Sequence, residues 1–127
     1  MANFFKRLLH PHDYTSNPTS GVIKWPGDSG KEYSYTIYPI DTPFHARPGN
    51  FIYAKRAEDG RWIPIYIAQT RDLHQRLESV VRVDKAKARG ATHIHAHYDS
   101  AGHATRCTEE RDLVVRWQPE CNELIEN

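Results

Sequence analysis

The sequence predicts an α+β fold: a small three-stranded antiparallel sheet with flanking helices, preceded by an N-terminal arm that carries an extra strand. Three observations point there. Two β-rich runs, "NFIYAKR" (50–56) and "WIPIYIAQ" (62–69), flank "AEDG", and Asp59-Gly60 between such runs is a strong hairpin signal. A third β-rich run, "ATHIHAHYD" (91–99), follows. Stretches with helical periodicity lie on either side of it.

Taken in chain order, "MANFFKRLLHPHD" reads as a short amphipathic helix closed by Pro11; its apolar core is too short for a secretory signal, and it lacks a small-residue cleavage site. Residues 11–32 are rich in Pro, Gly, Ser, Asp and Asn and read as an irregular arm with one short strand around Val22–Trp25. In "YSYTIYPI" (33–40), Tyr33, Tyr35 and Ile37 alternate with Ser34, Thr36 and Tyr38, as in a half-buried strand. The expected organisation is therefore an arm with its added strand over 1–45 and a compact domain over 46–127. Pro64 cannot donate to a ladder, so its strand belongs at a sheet edge or carries a break there.

"TRDLHQRLESVV" is expected to form the first core helix, capped by Thr70 or Asp72, with Leu73, Leu77, Val80 and Val81 as its apolar stripe. "DKAKARG" reads as a short helix ended by Gly90. A second core helix falls within 100–117 and stops before Pro119. In it Cys107, Glu110, Val114 and Trp117 recur at helical spacing. That puts Glu110 on the inward stripe and turns Glu109 to solvent.

With 127 residues the chain is large enough for a real core, and no apolar run approaches the roughly 20 residues of a membrane span. A cytoplasmic protein with no membrane partner is the expectation. Cys107 and Cys121 have no metal-type spacing and are read as reduced thiols. Net charge is only +1, but it is unevenly spread: residues 71–89 hold six Lys/Arg against three Asp/Glu, and residues 107–127 hold six Asp/Glu against two Arg. A basic flank beside an acidic tail is compatible with phosphate binding, and two solvated helices give the same pattern.

The chemistry-bearing residues are individually weak signals. A carboxylate on an inward stripe, such as Glu110, needs a cation, a metal or a hydrogen-bond cluster. Arg76, one turn from Leu73 and Val80, can pair with it or reach solvent. Tyr53 and Tyr66 lie in the two hairpin strands, where tyrosine is more often cross-strand packing than chemistry.

Together they match a pattern. Phe51-Ile52-Tyr53 and Tyr66-Ile67-Ala68 resemble the paired motifs of the GIY-YIG nuclease family. "YIAQTRDLHQR" resembles that family's Tyr-Ile-Gly-x-[Ser/Thr]-x-[Asn/Asp]-Leu-x-x-Arg, with Arg76 at the catalytic arginine. "ERDLVVRWQPECN" resembles its Glu-x-x-Leu-Ile and Pro-x-x-Asn, through Glu110, Leu113, Val114, Pro119 and Asn122. The match spans roughly residues 49–123, with four motif pieces in order. It implies a DNA endonuclease that hydrolyses phosphodiester bonds with one divalent ion, Mg²⁺ or Mn²⁺, held by Glu110. Tyr53 would be the general base, Tyr66 would position the attacking water or a phosphate oxygen, Arg76 would stabilise charge on the phosphate, and Asn122 would anchor the chain end. A hard cation held by one carboxylate with several waters is an ordinary arrangement, and a tyrosine base needs nearby positive charge.

The chain departs from the pattern at four positions. Phe51 and Ala68 replace both motif glycines; Ala68 adds one methyl, and the larger Phe51 leaves the site open if it points to the other sheet face. Gln69 stands where some members carry lysine, and Val80 where many carry histidine or tyrosine. His93, His95 and His97 share one strand face, which reads as a histidine-rich packing face before a zinc site, with His103 the nearest fourth ligand. One of them could instead reach the site and assist the base. Trp25, Trp62 and Trp117 are assigned to packing before base stacking. The expected partners are DNA and, as one source of sequence specificity, a second copy of the chain in a homodimer. The alternative is a GIY-YIG-like domain with weak or no catalysis that acts as a nucleic-acid-binding or interaction module.

Overall fold

The structure is a computed structural model, and it describes residues 21–122. The amphipathic helix expected at the N-terminus lies outside the described residues. Strands β1 (Gly21–Pro26), β2 (Glu32–Pro39), β3 (Gly49–Arg56) and β4 (Trp62–Thr70) come first. Helices α1 (Leu73–Leu77) and α2 (Val80–Ala88), strand β5 (His93–Tyr98) and helix α3 (His103–Trp117) follow. All five strands form one antiparallel sheet in the order β1-β2-β5-β3-β4.

The fold is thus α+β as expected, and the strands read around Val22–Trp25 and over 33–40 are present, but they join the same sheet, which therefore has five strands rather than three. From Gly21 onward, the stretch read as an irregular arm forms a hairpin with β2. Gly27 and Gly30 close its turn by hydrogen bonds to the carbonyls of Lys31 and Gly27, and Gly30 takes a φ of 91°. Asp112 of α3 pins that turn by accepting from the Ser29 amide and hydroxyl and from Tyr33. β2 then pairs with β5, so residues on both sides of the boundary drawn at 45 share one sheet.

The β3–β4 hairpin turns at Ala57–Arg61, with Gly60 at φ 90°. β4 is an edge strand, and its register with β3 slips between Tyr53 and Ala54, so Pro64 sits at both an edge and an irregularity.

Strand alternation divides the core. One face, under α1 and α2, gathers Phe51, Tyr53, Tyr66, Ala68, Leu73, Ile94 and Ala96. The other, under α3, gathers Ile23, Trp25, Tyr35, Ile37, Ile52, Trp62, Ile67 and Leu113. The sheet curls enough for His95 on β5 to touch Trp25 and Trp62, each two strands away, with ring centroids at 5.7 and 4.7 Å.

The helix expected over 70–81 breaks at Glu78–Ser79 into α1 and α2. Asp72 caps α1 by accepting from the Gln75 amide at 3.0 Å. Val80 and Val81 do not extend the stripe: they are 69% and 65% exposed, because the break rotates α2 and turns its first two residues outward.

Candidate functional site

Tyr53 and Tyr66 are direct cross-strand partners on β3 and β4, with rings stacked at 6.2 Å and 26°. Alternation sends both side chains to the α1–α2 face. Ten residues after Tyr66, α1 brings Arg76 back over it, and the Arg76 Nη2 donates to the Tyr66 hydroxyl at 2.7 Å. Phe51 packs at 5.6 Å from Tyr53 and 6.0 Å from Tyr66, with the Arg76 guanidinium 5.8 Å from its ring. Phe51 therefore lies on the same face as the tyrosines, not on the opposite one. Two positions separate it from Tyr53, and strand side chains two apart share a face. Ala68 is its cross-strand partner, so both residues that replace motif glycines fill the tyrosine face.

Tyr53 is 1% exposed, and burial pushes its phenol up to about 12, partly offset by the positive charges of Arg76 and Arg82. Those arginines open onto a cavity of about 760 Å³ lined by Thr70, Arg71, Asp72, Gln75, Arg76 and Arg82. Arg71 and Arg82 went unnamed in the sequence; the basic surplus over 71–89 was the signal that covered them.

Asn122 reaches the outer edge of β4 beside Tyr66, whereas Glu110 lies on α3, the helix that covers the opposite sheet face from Tyr53, Tyr66 and Arg76. The segment after α3 wraps the outer edge of β4, where the Asn122 side chain accepts from the Ile67 amide at 3.0 Å and donates to the Ile67 carbonyl at 2.9 Å. It thus substitutes for a neighbouring strand beside Tyr66. Glu110 is half-buried on α3. Its single carboxylate is a hard oxygen donor, which suits Mg²⁺ or Mn²⁺ keeping most of its water. Among the described residues no group of three His, Cys, Asp or Glu side chains is placed to hold a metal ion.

The inward residues of α3 differ from those expected. Arg106, Glu109 and Leu113 are its buried residues, while Cys107 and Glu110 are half-buried. Glu109, expected in solvent, is 6% exposed and accepts from the Tyr35 hydroxyl, with His97 Nε2 at 2.7 Å. Arg106 donates to the Gln69 side chain at 3.2 Å and to the Asp99 carbonyl at 3.3 Å. These polar groups are buried because the sheet face supplies them with partners.

All three strand histidines lie on this second face, away from Tyr53 and Tyr66, so the expectation that one of them reaches Tyr53 does not hold. Burial lowers His97's proton affinity, but the hydrogen bond and charge of Glu109 outweigh it and leave the imidazole above its usual range. His95 accepts from Trp25 Nε1 at 3.0 Å, and burial depresses it to about 3. Its Nδ1 is occupied by that bond, and the ring fills a slot between Trp25 and Trp62.

Comparison with family models, curated proteins and solved structures gives no match to this chain.

Proposed function

We propose that the protein is a metal-dependent DNA endonuclease of the GIY-YIG type that hydrolyses phosphodiester bonds. The observation that carries this reading is the Arg76–Tyr66 hydrogen bond with Tyr53 stacked beside it, at the wall of an arginine-lined cavity. A phosphodiester is anionic, and preorganised cationic donors at its oxygens are what its hydrolysis needs most.

On this reading a backbone phosphate seats against Arg76, whose guanidinium is held in orientation by the Tyr66 oxygen. Tyr53 lies behind, as the acceptor of the attacking water's proton. At about 12 its phenol is protonated near neutral pH, so it works as a base only with added positive charge close by, of which Arg76 and Arg82 provide part. Asn122 keeps the β4 backbone fixed at Ile67, next to Tyr66. Glu110 would hold Mg²⁺ or Mn²⁺, which when bound supplies Lewis-acid stabilisation of the phosphate and a lowered water pKa.

A second reading, a nucleic-acid-binding module without catalysis, is favoured by one observation. Phe51 and Ala68 fill the face where the family pattern leaves room, and Tyr53 is almost fully covered.

Plasmid cleavage with Mg²⁺ or Mn²⁺ and with EDTA tests the first reading. Metal-dependent nicking by the wild type, lost in Glu110→Ala and Arg76→Ala, is expected. Equal cutting by both variants would show the site assignment to be wrong. A wild type that never cuts but shifts DNA with steep salt dependence supports the second reading.

A further inference from the structure

Three guanidiniums converge on the cavity from separate places: Arg71 from the β4–α1 link, Arg76 from α1, and Arg82 from the first turn of α2. Among the described residues its one acidic lining residue, Asp72, already uses a carboxylate oxygen to cap α1. Among the described residues neither Arg71 nor Arg82 enters an ion pair, and Arg82 Nε is buried without a hydrogen-bond partner. Elsewhere on the chain arginines do have acidic partners: Arg61 pairs with Asp59 and Arg89 with Glu120.

Holding the Arg71 and Arg82 guanidiniums beside Arg76 with no ion-pair partner of their own among the described residues costs free energy through mutual repulsion, and an anion removes that cost. Counting Asp72, the lining carries a net of two positive charges. Its volume, about 760 Å³, lies within the ~300–1,000 Å³ of clefts that hold whole small molecules, larger than one phosphate requires. Guanidinium forks also match phosphate oxygens geometrically.

We propose that Arg71 and Arg82 flank Arg76 to form a cradle for two successive phosphates of a DNA strand. This rests on the reading of Arg76 as the residue that meets the scissile phosphate, and it assigns Arg71 and Arg82 to the neighbouring one. Both are binding residues that set where along the strand the scissile bond lies, and neither takes part in proton transfer.

The test is fluorescence anisotropy of a labelled single-stranded DNA oligonucleotide with the full chain, in EDTA, across a range of salt. Wild type binds with a steep salt dependence. Arg71→Gln and Arg82→Gln each weaken binding about tenfold at low salt and reduce the slope of log K against log salt by about 0.7. Arg82→Lys, which keeps the charge, retains the slope. Arg61→Gln, at the β3–β4 turn, changes neither quantity. Circular dichroism checks folding; if Arg82→Gln fails to fold, the exposed Arg71 carries the test alone. Wild-type affinity and slope in the glutamine variants overturn the cradle, and so does a folded wild type that binds no oligonucleotide. Cleavage with Mg²⁺ is scored separately. A chain that binds through these arginines without cutting removes the nuclease reading and leaves the cradle. A chain that cuts, with both variants cutting as fast as wild type at subsaturating DNA, removes the cradle and leaves the nuclease reading.

Discussion

Arg76 donates from Nη2 to the phenolic oxygen of Tyr66 at 2.7 Å, joining the Tyr53–Tyr66 pair of the β3–β4 hairpin to the helix that follows it. The bond explains the ten-residue interval between them. A strand that ends in Thr70, a short polar link and the Asp72 cap leave α1 only one way to fold back, with Leu73 into the core and Arg76 over the sheet.

Adjacent glutamates on α3 should behave differently. Glu109 is buried between Tyr35 and His97, so Glu109→Gln breaks a buried charged pair and should cost about 3 kcal/mol in urea unfolding. Glu110→Gln should leave stability within about 1 kcal/mol and abolish metal-dependent cleavage. The reverse pattern would exchange their roles.

His95 and His97, two apart on β5, link folding to pH with opposite signs. His95 is depressed from 6.5 to about 3, so its contribution is present above 6.5 and lost as pH falls toward 3, by at most about 5 kcal/mol. His97 is raised above 6.5, so its contribution is present below 6.5 and lost as pH rises through its folded value. Denaturant midpoints against pH should flatten on the acid side in His95→Gln and on the alkaline side in His97→Gln.

Tyr53 makes a third pH prediction. Its phenol is raised from 10.0 to about 12, so the stability it contributes is intact below pH 10 and is lost between there and about 12. Tyr53→Phe should reduce that alkaline loss. If Tyr53 is the base, the same variant loses cleavage with little change in Tm, and the wild-type rate climbs with pH through neutrality.

Gly49 opens β3 where a Cβ would stand 2.3 Å from the His97 carbonyl oxygen and 2.7 Å from Leu73 Cδ1. Gly49→Ala should destabilise by about 2–4 kcal/mol, because the nearer contact is backbone and cannot move aside. Thermal unfolding checks this.

The local parts of this fold were legible in the sequence. Asp59-Gly60 marks the hairpin turn, Pro64 the edge strand, Asp72 the helix cap and Pro119 the end of α3's neighbourhood. What was not legible depends on distant partners. The insertion of β5 between β2 and β3 pairs it with β2 across more than fifty residues and with β3 across fewer than fifty, and no periodicity encodes it. β1 and β2 were each legible as strands, but the turn between them, "GDSGK", has the composition of an irregular arm and hid their pairing as a hairpin. The rotation of α3 was misread because Arg106 and Glu109 are polar; only the sheet's Tyr35, His97 and Gln69 make their burial favourable. Of the candidate site, Tyr53, Tyr66 and Arg76 come together through local geometry, whereas Arg82 enters through the helix break at Glu78–Ser79.

The proposed nuclease function rests on Arg76, held by Tyr66, meeting the phosphate. The most direct test is the single-turnover plasmid-cleavage rate of Arg76→Ala against wild type at saturating Mg²⁺, with Tm measured on the same samples. A loss of at least about 100-fold with little change in Tm is expected. An Arg76→Ala protein that cuts at the wild-type rate would contradict it.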